Sequence, residues 1–248
     1  MKPISKPTDW RVGTVTHIRP EAPDLRTYTF AFEEPVQHAA GQHYELKLTS
    51  EDGYEAARLY SAAMPANGSS NTLQLTIALM PYGEVSPYIF NNVKTGSLLE
   101  LRGPLGRYFT WTPQVTKPVL LIGGGTGIVP LRAIRIAHQQ TCSKSQLKMI
   151  FSVKNYYDMA YKYELFPKSG TPPADVVMTF TGEAPKGWNG YSRRIDSEMI
   201  GEVLASFLES PEVYICGPTL MVEAVSQILV AEGLDPSAIK TERFSLSQ

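Results

Sequence analysis

Along residues 10–111, apolar and polar positions alternate in short runs, the period-2 pattern of half-buried strands. Leu73-Gln74-Leu75-Thr76-Ile77 is the clearest instance. Runs at 10–18, 25–32, 42–48, 56–62, 73–80 and 97–102 are short, and most are rich in β-branched and aromatic residues. Turn clusters such as Glu51-Asp52-Gly53 and Ala66-Asn67-Gly68-Ser69-Ser70 separate them. Six short strands at this spacing predict an antiparallel six-stranded β-barrel. One short helix is expected over 86–92.

After Pro113 the period changes. Short apolar runs at 119–122, 148–153, 176–180, 213–215 and 239–241 read as buried strands. Helical stretches at 129–140, 160–166, 197–208 and 219–231 lie between them, the last stopped by Gly233 and Pro236. In 197–208, Met199, Ile200, Val203, Leu204 and Phe207 recur at the 3.6-residue period. Strands alternating with helices imply right-handed crossovers and a parallel sheet. The polar stretch between Pro113 and Pro118 marks the boundary. The expected division is a β-barrel domain over 1–113 and an α/β domain over 114–248.

Composition narrows the function. The chain has 248 residues, 43% of them apolar, and a formal net charge of -1. It can bury a sizeable core, and it lacks the basic balance that nucleic-acid binding needs. Its two cysteines, Cys142 and Cys216, cannot supply a plant-type iron–sulfur cluster, an all-cysteine zinc site or a disulfide framework. The histidines at 17, 38, 43 and 138 are scattered without metal-ligand spacing. The first ten residues hold no apolar signal-peptide core, and no run approaches the roughly 18 apolar residues of a membrane span. The expectation is a cytoplasmic protein with no metal site, no nucleic-acid partner and no membrane span.

The sharpest local signal is Gly123-Gly124-Gly125-Thr126-Gly127-Ile128-Val129-Pro130, which follows an apolar strand and opens a helix. Glycines there allow a phosphate close to the backbone, and a helix N-terminus offers free N–H groups. The sixth position is Ile128, so the spacing departs from the usual Rossmann fingerprint. Read without a ligand, the same residues are a strand-to-helix turn. No acidic residue follows between Gly127 and Tyr157, where an NAD enzyme often holds the ribose with a carboxylate. Ser152 and Lys154 instead suit a 2′-phosphate, which leans towards NADP.

Further motifs accompany this turn. Arg58-Leu59-Tyr60-Ser61 comes first. Gly83-Glu84-Val85-Ser86 follows, with Gly103-Pro104-Leu105-Gly106 downstream. Cys216-Gly217-Pro218 ends a later strand. In order and spacing the set resembles the ferredoxin–NADP reductase superfamily in its standalone two-domain form, without a fused iron–sulfur domain.

The resemblance implies a flavin in the barrel half, FAD in preference to FMN, and NADPH or NADH as hydride donor. Arg58 would hold a flavin phosphate, Tyr60 would lie on the isoalloxazine ring, and Ser61 would hydrogen-bond near the hydride-accepting nitrogen. Gly83 to Ser86 would cradle the pyrophosphate. Gly124, Gly125, Thr126, Gly127 and Pro130 would form the dinucleotide turn. Cys216, with Gly217 and Pro218, would position the nicotinamide. Near the C-terminus, Phe244 would cover the flavin and Glu242 approach the same pocket. The stretch from Trp188 to Asp196 also resembles the family, and its Arg193 and Arg194 would reach the adenosine end. Thr181-Gly182 stands where many relatives carry Thr-Arg, which removes one expected cation.

The implied activity is hydride transfer from NAD(P)H to flavin, then single-electron delivery to a separate ferredoxin, flavodoxin or oxygenase component. The alternatives are a reductase that releases free reduced flavin, and an interaction module that has lost turnover.

Overall fold

The computed structural model describes residues 7–167 and 170–244. Residues 1–6, part of the stretch read for targeting, lie outside the described set. Six strands build the first half: β1 (Arg11–Ala22), β2 (Leu25–His38), β3 (His43–Thr49), β4 (Glu55–Ser61), β5 (Ala66–Ala78) and β6 (Leu98–Leu105). All pairings are antiparallel, in the spatial order β4-β3-β6-β1-β2-β5. The two ends of that series meet where Ala62 bridges Leu75 and the Ala63 N–H donates to Gln74 O at 2.8 Å. This contact closes the expected barrel. Its core is the inward set of alternating positions, among them Tyr28, Phe30, Leu46, Leu73, Leu75 and Ile77. Helix α1 (Val85–Asn92) plugs it with Ile89 and Phe90.

One expectation is corrected here. Ala66 to Ser70 is not a turn but the first part of β5, paired with Val36 to His38 of β2. Register shifts on either side of Val36 bend this two-stranded extension, and its polar residues are mostly solvent-facing. The polarity that suggested a turn reflects exposure.

The second half is a parallel sheet. Its strands are β7 (Val119–Gly124), β8 (Leu147–Val153), β9 (Val176–Phe180), β10 (Glu212–Pro218) and β11 (Ile239–Phe244), in the order β11-β10-β7-β8-β9. Helices α2 (Ile128–Gln140), α3 (Lys162–Leu165), α4 (Ser197–Leu204) and α5 (Thr219–Ala231) connect them. Every residue of central β7 is buried, as layers on both faces require. On one face, α4 and α5 pack over Leu120, Ile122, Val213 and Ile215. On the other, α2 packs over Leu121 and Tyr214 in a core that also takes Ala63, Phe109 and Trp111 from the first half. The two halves therefore share one apolar cluster.

Two helices are shorter than their periodicity. The expected 160–166 helix is only Lys162–Leu165, because Tyr161 is left-handed (φ 53) and Phe166, ahead of Pro167, has left the helical region (φ -143, ψ 74). The expected 197–208 helix stops at Leu204, where the Ser206 hydroxyl donates to Val203 O. Phe207 still packs on the core beyond the helix end. Among the described residues, no helix is long and apolar enough to cross a membrane.

Candidate active site

A cavity of about 320 Å³ opens between the halves. Strand β4 supplies Arg58 to Ser61, β5 supplies Thr76 and Ala78, the 83–86 turn supplies four residues, and the second half supplies Thr126, Val129, Arg243 and Phe244. Register holds the β4 residues in place: Arg58 faces Leu46, Tyr60 faces Tyr44 and Ser61 faces His43. Burial pushes the Tyr60 hydroxyl up to about 12, so it stays a donor at any physiological pH. The Arg58 guanidinium donates to the Ala57 carbonyl at 2.8 Å and lies 3.8 Å from the Glu84 carboxylate. That carboxylate also accepts from the Tyr54 hydroxyl at 3.2 Å. The Ser86 hydroxyl accepts the Met80 N–H at 2.9 Å and closes the loop ahead of α1. No side chain caps that helix, which leaves its first N–H groups available to an anion. A cationic fork, an uncapped helix end and an aromatic face form a donor set that fits a flavin phosphate and ring.

A second cavity of about 460 Å³ lies beyond the carboxyl ends of β7, β8 and β10, where open parallel sheets bind ligands. Gly124, Gly125, Ser152, Lys154, Arg194 and Pro218 line it, with Leu220 and Met221 of α5. The glycines of the turn do different jobs. A Cβ on Gly127 would stand 2.0 Å from the Cys216 carbonyl oxygen, and one on Gly124 would stand 2.3 Å from Met221 Sδ. These glycines, like Gly123 against Leu131, let neighbouring elements pack. Gly125 alone combines φ +53 with open space above it, so it is the point of close backbone approach. Pro130 sits buried in the first turn of α2.

The remaining expected residues separate. Arg194 lines the second cavity, whereas Arg193 is exposed and is held by Asp196 and Glu198 over the Tyr191 ring. Phe244 lines the first cavity. Cys216 is fully buried and lines neither. Its Sγ lies 3.9 Å from one Glu242 oxygen, while the other oxygen lies 3.6 Å from His43 Nδ1. Desolvation raises the Glu242 carboxyl to about 7. Burial, then the neighbouring carboxylate, pushes the Cys216 thiol well up, and burial lowers the His43 imidazole. Cys216, Glu242 and His43 thus form a line joining the two halves, and His43 is the register partner of Ser61. Sequence reasoning missed His43, because only its pairing with Ser61 in the β3–β4 register signals a role. It also missed Thr76, Val129 and Arg243. Among the described residues no group of His, Cys, Asp and Glu is arranged to hold a metal ion.

Fold and cleft define a β-barrel and a parallel sheet that meet at two adjoining cavities. Comparison with known proteins makes the class specific. Residues 13–110 match the oxidoreductase FAD-binding domain, and residues 121–227 match the oxidoreductase NAD-binding domain. The chain is 28% identical over 233 residues to the ferredoxin–NAD(P)(+) reductase component of the naphthalene 1,2-dioxygenase/salicylate 5-hydroxylase systems of Ralstonia sp, covering 94% of this chain and 68% of that one. It is 29% identical over 218 residues to NADH-cytochrome b5 reductase 1 of Mortierella alpina, covering 86% and 72%. The ferredoxin reductase of carbazole 1,9a-dioxygenase superposes with a TM-score of 0.78 at 26% identity, covering 96% of this chain and 70% of that one. The chain belongs to the NAD(P)H-dependent FAD oxidoreductases of the ferredoxin reductase type.

Proposed function

We propose that this reductase passes electrons from NAD(P)H through FAD, one at a time, to a separate protein: a ferredoxin, a flavodoxin or an oxygenase component. The observation that carries the reading is that one turn serves both cavities. Gly124 and Gly125 wall the dinucleotide cavity, and Thr126 and Val129 wall the flavin cavity. Ligands in the two places therefore meet at that turn. The division assigned to them is an FAD unit over 1–113 and an NAD(P) unit over 114–248.

Bound in the first cavity, the flavin would supply acceptance of an electron pair and its release in single steps. The chain supplies position. Arg58 and the α1 N-terminus hold the phosphates. Tyr60 supports the ring, and Phe244 covers it. Ser61 orients the flavin edge, and Cys216 and Glu242, which line neither cavity, back the turn from behind through the Gly127 contact with the Cys216 carbonyl. A third cavity of about 560 Å³, bounded by Tyr54, Tyr88 and Leu98, shares Glu84 with the flavin cavity. It offers aromatic walls to an adenosine beyond the phosphates, which supports FAD over FMN. Lys154 and Arg194 supply the charge for a 2′-phosphate and support NADPH, although Gly182 adds none. The reading places the protein in the cytoplasm.

The names of the relatives support a partner oxygenase or ferredoxin, since one is a reductase component of a dioxygenase system and another a glycine betaine monooxygenase reductase subunit. A second reading, release of free reduced flavin, is favoured by the Glu84 carboxylate beside Arg58, which competes with a phosphate. Anaerobic reduction with NADPH and NADH in parallel, followed by a ferredoxin, a flavodoxin or free FMN, decides between them. Retained flavin and rapid reoxidation by a protein acceptor support the first reading. Turnover only on added free flavin supports the second.

A further inference from the structure

Behind the flavin cavity, a line of hydroxyls crosses from one half to the other. The Tyr161 hydroxyl meets Thr76 Oγ1 at 2.5 Å, Thr76 meets Thr27 Oγ1 at 2.8 Å, and Thr27 donates to the Glu21 carboxylate at 2.7 Å. Counting protons gives the chain a direction. Thr27 spends its one hydrogen on Glu21, so Thr76 donates to Thr27. Thr76 has then spent its own hydrogen, so Tyr161 must be the donor to Thr76. Burial keeps the Tyr161 hydroxyl protonated for that purpose, with its pKa pushed up to about 12. All four groups are buried, and Thr76 itself lines the flavin cavity.

Tyr161 is held unusually for this bond. Its backbone is left-handed at φ 53, a conformation that side-chain-bearing residues seldom adopt without compensation. The turn that follows carries Glu164 to Arg132 at 2.7 Å. The Arg132 guanidinium stacks over the Tyr161 ring at 4.3 Å and donates to the Ala63 carbonyl at 2.8 Å. Ala63 lies two residues beyond Ser61, and Arg132 lies one helical turn beyond Val129. The pair thus ties the turn that walls both cavities to the end of the flavin strand. On the far side of the interface, Tyr108 donates to Ile239 O at 3.1 Å and Tyr214 donates to Thr110 O at 3.0 Å. Those contacts and the shared core hold the halves together without Tyr161.

We propose that Tyr161, braced by Arg132, is a positioning residue that clasps the α/β half onto Thr76 and sets how the nicotinamide lies on the flavin. The proposal rests on the reductase reading. It assigns Tyr161 no proton transfer and no contact with either ligand.

The test compares Y161F, T76V and the double variant with wild type, each reconstituted with FAD. Y161F is expected to keep its flavin and to bind NADP⁺ within about twofold of wild type. Its flavin reduction by NADPH should be about tenfold slower, because small misplacements of reacting groups carry large kinetic costs. The long-wavelength absorbance that reports nicotinamide stacked on flavin should weaken in parallel. In flavin-free Y161F, hydrogen exchange across 125–131 should quicken. The double variant should be no slower than the slower single variant, because T76V already removes the bond that Y161F cuts, together with the Thr76–Thr27 bond. Wild-type reduction and absorbance in flavin-replete Y161F overturn the clasp. So do fully multiplicative losses, and so does loss of fold or flavin in both single variants, which assigns the contact to assembly alone. A wild-type protein that neither nucleotide reduces overturns the reductase reading instead.

Discussion

On the proposed reading, the two walls of the cleft recognise their ligands by different means. The barrel wall works with side chains: Arg58, Tyr60 and Ser61 are carried at fixed register on β4, and their chemistry is visible in the residues themselves. The α/β wall works with backbone, and most of its glycines are there so that elements can touch. Gly127 admits the Cys216 carbonyl and Gly124 admits Met221, while only Gly125 faces open space. A motif that reads as a phosphate loop is mainly a packing device with one functional opening. Damage to the barrel wall should therefore cost ligand, and damage to the α/β wall should cost structure first.

Substitutions within the glycine turn test that contrast most strongly. Gly127→Ala places a methyl 2.0 Å from a backbone oxygen that cannot yield without moving β10. A cost of about 3 kcal/mol, or about 6–12 °C in melting temperature, is expected. Gly125→Ala has nothing to clash with and costs only its left-handed backbone, about 1 kcal/mol. Equal melting temperatures for the two variants would erase the distinction between packing glycine and open glycine.

The junction of the walls comes next. Glu242 has a folded-state pKa of about 7 against an ordinary 4.5, because burial disfavours its charge. The folded state then binds a proton more tightly than the unfolded chain between those values, so stability falls as pH rises from 4.5 to 7. The effect is on the order of 2–3 kcal/mol. Thermal unfolding of flavin-free protein across that range should show the decline, and E242Q should lack this component. An E242Q profile parallel to wild type would place the carboxylate in water.

Smaller effects belong to the barrel wall. Arg58→Ala removes a charge-assisted phosphate contact of about 1.5–3 kcal/mol, a tenfold to hundredfold loss of FAD affinity, with folding unchanged. Glu84→Gln relieves the competing carboxylate and should raise FAD affinity by about twofold, since both side chains of that pair are more than half exposed. Tighter FAD binding by R58A, or weaker binding by E84Q, would reverse the roles given to the two residues.

Local grammar made much of this legible. Period-2 alternation gave the barrel, the Arg58-Leu59-Tyr60-Ser61 motif marked the flavin strand, and a glycine turn after an apolar strand marked the dinucleotide wall. Contacts between distant residues were out of reach. Ala66 to Ser70 became a strand only because Val36 to His38 pairs with it. His43 gained significance from lying opposite Ser61 and near Glu242, and Thr76 from a tyrosine 85 positions away. Cys216 was recognised by its motif, yet its complete burial comes from its place in the core shared by the two halves, which distant residues build. Arg193 and Arg194 are adjacent and alike in sequence, and only the acid partners Asp196 and Glu198 separate their fates.

On the proposed reading, the barrel wall holds FAD with its ring in the shared cleft. Titration of flavin-free protein with FAD, followed by flavin fluorescence, tests it most directly. Saturable quenching at one flavin per chain, weakened in R58A, is the predicted result. Fluorescence that stays that of free FAD at every protein concentration would contradict it.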